Sequence, residues 1–144
     1  MNDLVTINRP IKDVFEFVAN HANDKLWKPF VTTSKQTSAG HIGVGTRFEV
    51  GMVTWNHYLA SIVEIVEYEP YRWYVYKSGT PPFHFVAHLS FASVALGTEL
   101  RGYVEFQARG LWKLLKPLIK TFFKSQEKHT FSKLKKVLEN QSTL

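Results

Sequence analysis

The side chains able to move a proton in this chain fall mostly in stretches that alternate like strands: His57, Tyr58, Glu64, His88, Tyr103 and Glu105. An acid or base of this kind must stand within hydrogen-bond reach of the atom it serves. Strand side chains point alternately to opposite faces. Over 98–108 that alternation puts Leu100, Gly102, Val104 and Phe106 on one face and Tyr103 and Glu105 on the other. Over 83–94 it sends Phe85, Leu89 and Phe91 inward and His84, His88 and Ser90 outward. His57 and Tyr58 are neighbours, so only one of them points inward. No charged side chain falls on the apolar face by this reading, which favours a binding protein over an enzyme.

Other chemistries are excluded by type or spacing. His84 and His88 would share one face of a helix, but on a strand they stand ~13 Å apart, too far for one ion. No third ligand lies nearby in sequence, so neither a metal nor any other cofactor is expected. The chain has no cysteine, which removes thiolate catalysis and Cys-type zinc sites. No Gly-x-Ser-x-Gly elbow is present. Gly40, Gly43 and Gly45 crowd six residues, yet a phosphate loop opens a helix after a strand. Here residues 46–53 alternate like a strand, so the glycines are expected to make a turn.

The elements that must position these groups follow from periodicity. At 144 residues the chain has the length of one domain, 1–144, and buries roughly two-thirds of its extended surface without a disulfide or metal. It holds no apolar run of ~18 residues, and its start lacks the pattern of a signal peptide. A soluble, cytoplasmic protein is expected. Residues 3–8 read as a first strand. After Pro10, Ile11, Val14, Phe15 and Val18 line one helical face. Residues 22–28 read as a second short helix, stopped by Pro29. Residues 32–38, 46–53, 56–68, 71–77, 83–94 and 98–108 then read as strands joined by short connections, an antiparallel meander. The apolar pairs Ile62-Val63 and Ile65-Val66 predict a bulge in 56–68, and Ser78 to Pro82 reads as a loop.

The last segment organises the rest. Over 111–139, Leu111, Leu114, Leu115, Leu118, Ile119, Phe122 and Phe123, then Phe131, Leu134, Val137 and Leu138, form one long apolar stripe. Pro117 lies in the first turn of this helix or just before it. Gln126 and Thr130 interrupt the stripe with polar groups, which hints at a cavity. Eight lysines and two glutamates fall after residue 110, while the preceding residues carry ten charges of each sign. The net charge of +6 therefore belongs to this segment. An anionic membrane surface is the partner this pattern suits beyond plain solvation. Nucleic acid is not expected, because no reader element accompanies the charge.

Taken together, Ile7-x-Arg9-Pro10-Ile11-x-x-Val14-Phe15-x-Phe17-Val18, Trp27-x-Pro29, Gly43-x-Gly45-Thr46, Val66-x-Tyr68-x-Pro70, Gly97-Thr98-x-Leu100 and Leu134-Lys135-x-x-Leu138-Glu139 resemble the SRPBCC superfamily. These are the START-like helix-grip domains, and the likeness is to their polyketide cyclase/dehydrase-like members. The resemblance covers nearly the whole chain. It implies an α+β fold in which a curved antiparallel sheet of about seven strands wraps a long C-terminal helix, with two short helices after the first strand. It further implies a cavity between sheet and helix for a small hydrophobic ligand such as a lipid, isoprenoid or aromatic polyketide. Strand parity nominates Phe48, Val50, Met52, Trp73, Val75, Phe85, Leu89, Phe91, Leu100, Val104 and Phe106 as its inward residues, with Leu115, Ile119, Phe122 and Gln126 facing them. Tyr58 is a further candidate, and Trp27, at the family's tryptophan position, is expected at the mouth. Carriage or sensing of that ligand is the expected function. A cyclase or dehydratase, and a membrane lipid-exchange protein, are the alternatives, with the chain a monomer or a homodimer paired through a strand edge.

Overall fold

The computed structural model describes residues 2–54, 57–80, 83–108, 114, 117 and 130–140. Seven strands form one antiparallel sheet: β1 (Asn2–Ile7), β2 (Val31–Gln36), β3 (Arg47–Thr54), β4 (His57–Glu69), β5 (Trp73–Thr80), β6 (Phe83–Val94) and β7 (Gly97–Ala108). Their spatial order is β1-β7-β6-β5-β4-β3-β2. The meander from β2 to β7 is thus closed at one edge by β1, which pairs with β7. Strand β5 runs on to Thr80, so the expected loop at Ser78 begins later. Among the described residues, no helix is long and apolar enough to cross a membrane.

Between β1 and β2 lie α1 (Ile11–Ala19), a 3₁₀ turn (His21–Asn23) and the single-turn α2 (Asp24–Trp27). Pro10 precedes the first residue of α1, and Asp13 sits in its first turn, where the helix dipole favours a carboxylate. Val14, Phe15, Val18 and Ala19 bury its apolar face. The Asn20 side chain accepts the Ala22 N–H at 3.1 Å and starts the 3₁₀ turn. Lys28 turns the chain to an extended conformation, and Pro29 keeps it out of the helix.

Residues 130–140 are helical and lie against the sheet. Leu134 and Leu138 are fully buried in the same cluster as Ile7, Phe15 and Leu100. Phe131 packs so closely over β7 that a Cβ on Gly102 would stand 3.1 Å from its ring. Polar clamps fix the far end. Arg9 donates one guanidinium N–H to the Leu138 carbonyl and another to Asp13, both at 2.8 Å. Lys135 donates to the Thr6 carbonyl at 2.8 Å, and the Glu139 carboxylate accepts the Asn8 N–H at 2.9 Å. The sequence pairs Arg9-Pro10 and Leu138-Glu139 are therefore two halves of one joint, and it satisfies a carbonyl at the C-terminal end of the helix.

Two irregularities decide which residues face this helix. The bulge expected in β4 is present: pairing with β5 shifts between Ile65 and Glu67. It lets both Ile65 and Tyr68 face inward, opposite Tyr76 and Tyr74. The Gly40–Thr46 segment is a turn, as expected. Gly45 has a positive φ of 91°, and its N–H bonds the Ile65 carbonyl at 2.8 Å.

Candidate ligand-binding site

The space between sheet and terminal helix is not filled. A cavity of about 230 Å³ lies there. Its floor is the inward face of the sheet: Val50 and Met52 of β3, Val63 of β4, Phe85, Ala87 and Leu89 of β6, Val104 and Phe106 of β7. Its roof is the α2–β2 connection, Trp27 to Val31, together with Thr130 and Phe131. The Trp27 and Phe131 rings lie 6.4 Å apart. Close packing rarely leaves such a void in a core this size, and an apolar, partly aromatic lining is what small-molecule pockets present.

Seven of the residues expected at the cavity line it: Trp27, Val50, Met52, Phe85, Leu89, Val104 and Phe106. Trp27 is not at an open mouth but buried, only 3% exposed. Phe48, Phe91 and Leu100 point inward as expected but are engaged in packing. Phe91, for one, meets the ring of Phe15 at 4.9 Å. Leu115, Ile119, Phe122 and Gln126 lie outside the described residues, as do the side chain of His57 and the lysines from 113 to 128.

Two expectations are corrected. Tyr58 stands on the outer face of the sheet, 55% exposed, with its hydroxyl 2.9 Å from that of Thr33. Trp73 and Val75 are likewise on the far face, where Val75 pairs with His88. Tyr74, Tyr76 and Ser78 take the inward positions of β5. The strand reads Trp-Tyr-Val-Tyr, apolar at every step, so its own sequence carries no alternation. Its facing is imposed by β4 beyond the bulge.

The inner face also carries charge, contrary to expectation. Asp24 and Lys28 line the cavity from the α2 turn, and Asp3 from β1. Asp24 is the centre of a buried chain. His21 Nδ1 lies 3.0 Å and Lys28 Nζ 3.0 Å from the same carboxylate oxygen. Lys28 also donates to the Tyr76 hydroxyl at 3.4 Å and stands 5.1 and 5.4 Å over the rings of Trp27 and Tyr76. At the other end the Tyr74 hydroxyl is 3.1 Å from His21 Nε2. A signal for this chain existed in the sequence. His21, Asp24 and Lys28 are spaced three and four apart, which stacks them on one side of a turn.

Their electrostatics are mutually set. Burial lowers the His21 pKa against the pull of Asp24, so the ring is neutral. Its single proton sits on Nδ1 toward the Asp24 carboxylate, and the Tyr74 hydroxyl stands between Nε2 and the Val18 carbonyl, to which it donates at 3.2 Å. Burial works against the Asp24 carboxylate, but His21 and Lys28 on either side hold its pKa below the ordinary value. Burial opposes the Lys28 ammonium as well. Asp24, with Tyr76 behind it, more than offsets this and keeps the lysine charged. Burial pushes the Tyr76 hydroxyl up, with Lys28 pulling the other way, so Tyr76 keeps its proton. The cavity thus has a greasy floor and, at one corner, a protonated phenol touched by an ammonium.

The model of the family described as "Polyketide cyclase / dehydrase and lipid transport" matches residues 2–139. Among curated proteins, none matches the chain. Similar solved structures include TTHA0849 from Thermus thermophilus, with a TM-score of 0.79, 14% identity and 99% and 98% of the two chains covered. A START superfamily protein from Mycobacterium smegmatis gives 0.78 at 11% identity, covering 98% and 97%. The di-domain ARO/CYC StfQ of the steffimycin biosynthetic pathway gives 0.78 at 12% identity, with all of this chain on 51% of that one. At such identities these likenesses speak for the fold. It is the helix-grip fold, with sheet, terminal helix and the joint between them all in place. By the match over residues 2–139, the chain belongs to the polyketide cyclase/dehydrase and lipid transport family.

Proposed function

We propose that this protein binds a small hydrophobic ligand under its terminal helix and acts as a carrier or sensor of it. The observation that carries the reading is the cavity of about 230 Å³ walled by Met52, Phe85, Leu89, Val104 and Phe106. Apolar area taken out of water is worth ~25 cal/mol per Å², so a ligand filling this space binds without many polar contacts. Native mass spectrometry of the purified protein should show a bound small molecule, and an apolar fluorescent dye should compete with it. Ala87, buried on the floor, gives the control. Ala87→Phe should fill the void and abolish dye uptake while the circular dichroism spectrum stays native. Dye uptake unchanged in Ala87→Phe would place binding elsewhere and defeat the reading.

The Lys28–Tyr76 contact favours a second reading, a cyclase or dehydratase acting on a carbonyl compound. Ring closure onto a carbonyl needs a proton delivered to its oxygen as the new bond forms. Tyr76 holds such a proton on the cavity wall, and the Lys28 ammonium 3.4 Å away stabilises the phenolate left behind. Two di-domain ARO/CYC proteins of biosynthetic pathways, StfQ and BexL, share the fold. Tyr76→Phe should then abolish turnover of an accepted substrate while leaving its binding within about twofold. Turnover that survives the substitution would remove the enzymatic reading and leave the carrier.

A further inference from the structure

Among the described residues, two buried polar side-chain atoms lack a hydrogen-bond partner: Trp27 Nε1 and Asp3 Oδ2. Both residues line the cavity. One is a donor, the other an acceptor. Trp27 packs against Phe131 and Lys28 through its ring faces, and the other oxygen of Asp3 accepts the Leu4 N–H at 2.8 Å. A buried polar atom without a partner is destabilising, and native proteins leave few of them. Two in one cavity, of opposite hydrogen-bonding sense, call for a molecule that carries the complements.

Asp3 faces inward on β1, opposite Gly102. The Phe131 ring lies over Gly102 and 6.4 Å from the ring of Trp27, so the two orphan atoms flank one aromatic side chain on the cavity wall. The wall also holds two carboxylates, Asp3 and Asp24, and one ammonium, Lys28, already paired with Asp24. An anionic ligand would meet like charge there.

Resting on the carrier reading, we propose that Asp3 and Trp27 form a paired polar subsite that selects a neutral, largely apolar ligand. That ligand bears a hydroxyl for Asp3 and an oxygen acceptor for Trp27. Bare hydrocarbons and carboxylate amphiphiles are the ligands it rejects.

Four probes on one ring system test this: naphthalene, 2-naphthol, 6-acetyl-2-naphthol and 2-naphthoate, titrated into the full chain by fluorescence. The expected order of affinity is 6-acetyl-2-naphthol first, 2-naphthol next, naphthalene at least tenfold below the first, and 2-naphthoate last. Asp3→Leu should erase the preference for 2-naphthol over naphthalene. Trp27→Phe keeps an aromatic ring and should erase only the advantage of the acetyl group. Both variants are checked by thermal melting, and a native circular dichroism spectrum serves as the folding control of each. Equal affinities for naphthalene and 6-acetyl-2-naphthol, or a preference for 2-naphthoate, overturn the subsite but leave the carrier reading standing. If none of the four binds, the carrier reading falls and the subsite with it.

Discussion

The two ends of the cavity are built on opposite principles. The floor from β6 and β7 is apolar, regularly paired and without charge on its inner face. Phe85 sits opposite Phe106, Ala87 opposite Val104, and Leu89 opposite Gly102. The corner where α2 meets β5 is a buried chain of His21, Asp24, Lys28 and Tyr76. The floor holds the protein together by burial alone and leaves a space. The corner gives up stability to hold charge out of water, since a buried ion pair seldom outperforms apolar side chains of the same volume. A binding pocket requires only the first. The second is retained for what it does to a ligand, or for what its loss would cost, and those two reasons separate by experiment.

Breaking the corner should have the largest effect. Asp24→Ala leaves Lys28 without its counter-ion and His21 without its acceptor, both inside the fold. Loss of one partner of a buried pair costs about 3–5 kcal/mol, readable as a shift of the urea midpoint at neutral pH. A loss below about 1 kcal/mol would mean that water reaches Lys28 freely and that the corner is part of the surface. The floor sharpens the contrast through two leucines. Leu100 is fully buried against the α1 cluster, whereas Leu89 borders the void. Leu100→Ala should cost about 4 kcal/mol and Leu89→Ala about 2, because a side chain already facing empty space has fewer contacts to lose. Leu89→Ala should also admit bulkier dyes, which Leu100→Ala should not.

The same division explains what could be read from sequence. The floor was legible. Over 83–108 apolar and polar residues alternate, the hairpin pairs them one to one, and parity alone puts Phe85, Leu89, Val104 and Phe106 inward. The corner was hidden for two reasons. Strand β5 is aromatic or aliphatic at Trp73, Tyr74, Val75 and Tyr76 in turn, so only pairing with the bulged β4 decides that Tyr74 and Tyr76 face in. In the α2 turn, Asp24 and Lys28 look like the solvated charges of a loop. Their burial depends on His21, Trp27 and Tyr76 packing around them, which no local pattern encodes. Asp3 shares the parity of Val5 and Ile7, and pairing of β1 with β7 sets it opposite Gly102.

Acid should probe the corner more gently than substitution does. The folded chain holds His21 below its ordinary pKa of 6.5. As pH falls past that value, the unfolded chain takes up a proton that the folded one refuses. Stability therefore declines from about pH 6.5 downward, by at most ~1.4 kcal/mol per pH unit from this one group. Asp24, held below its ordinary 3.8, adds its own loss only in stronger acid. His21→Gln should flatten the profile between pH 6.5 and 5, and a profile equally steep in the variant would assign the effect to other groups.

The smallest expected effect lies on the far side of the sheet, and it tests the facing of the strands themselves. Tyr58 and Thr33 share a hydroxyl–hydroxyl contact over Gly51, where any Cβ would collide with both. That contact is exposed, so its loss is offset by water. Tyr58→Phe should change stability by less than about 0.5 kcal/mol and leave dye binding untouched. Tyr76→Phe removes the same hydroxyl from the inner face, where the Lys28 side chain is only 21% exposed and has less water to take its place. It should cost about 1–2 kcal/mol. Equal costs for the two substitutions would mean that the inner hydroxyl is as wet as the outer one, and the distinction between floor and corner would disappear.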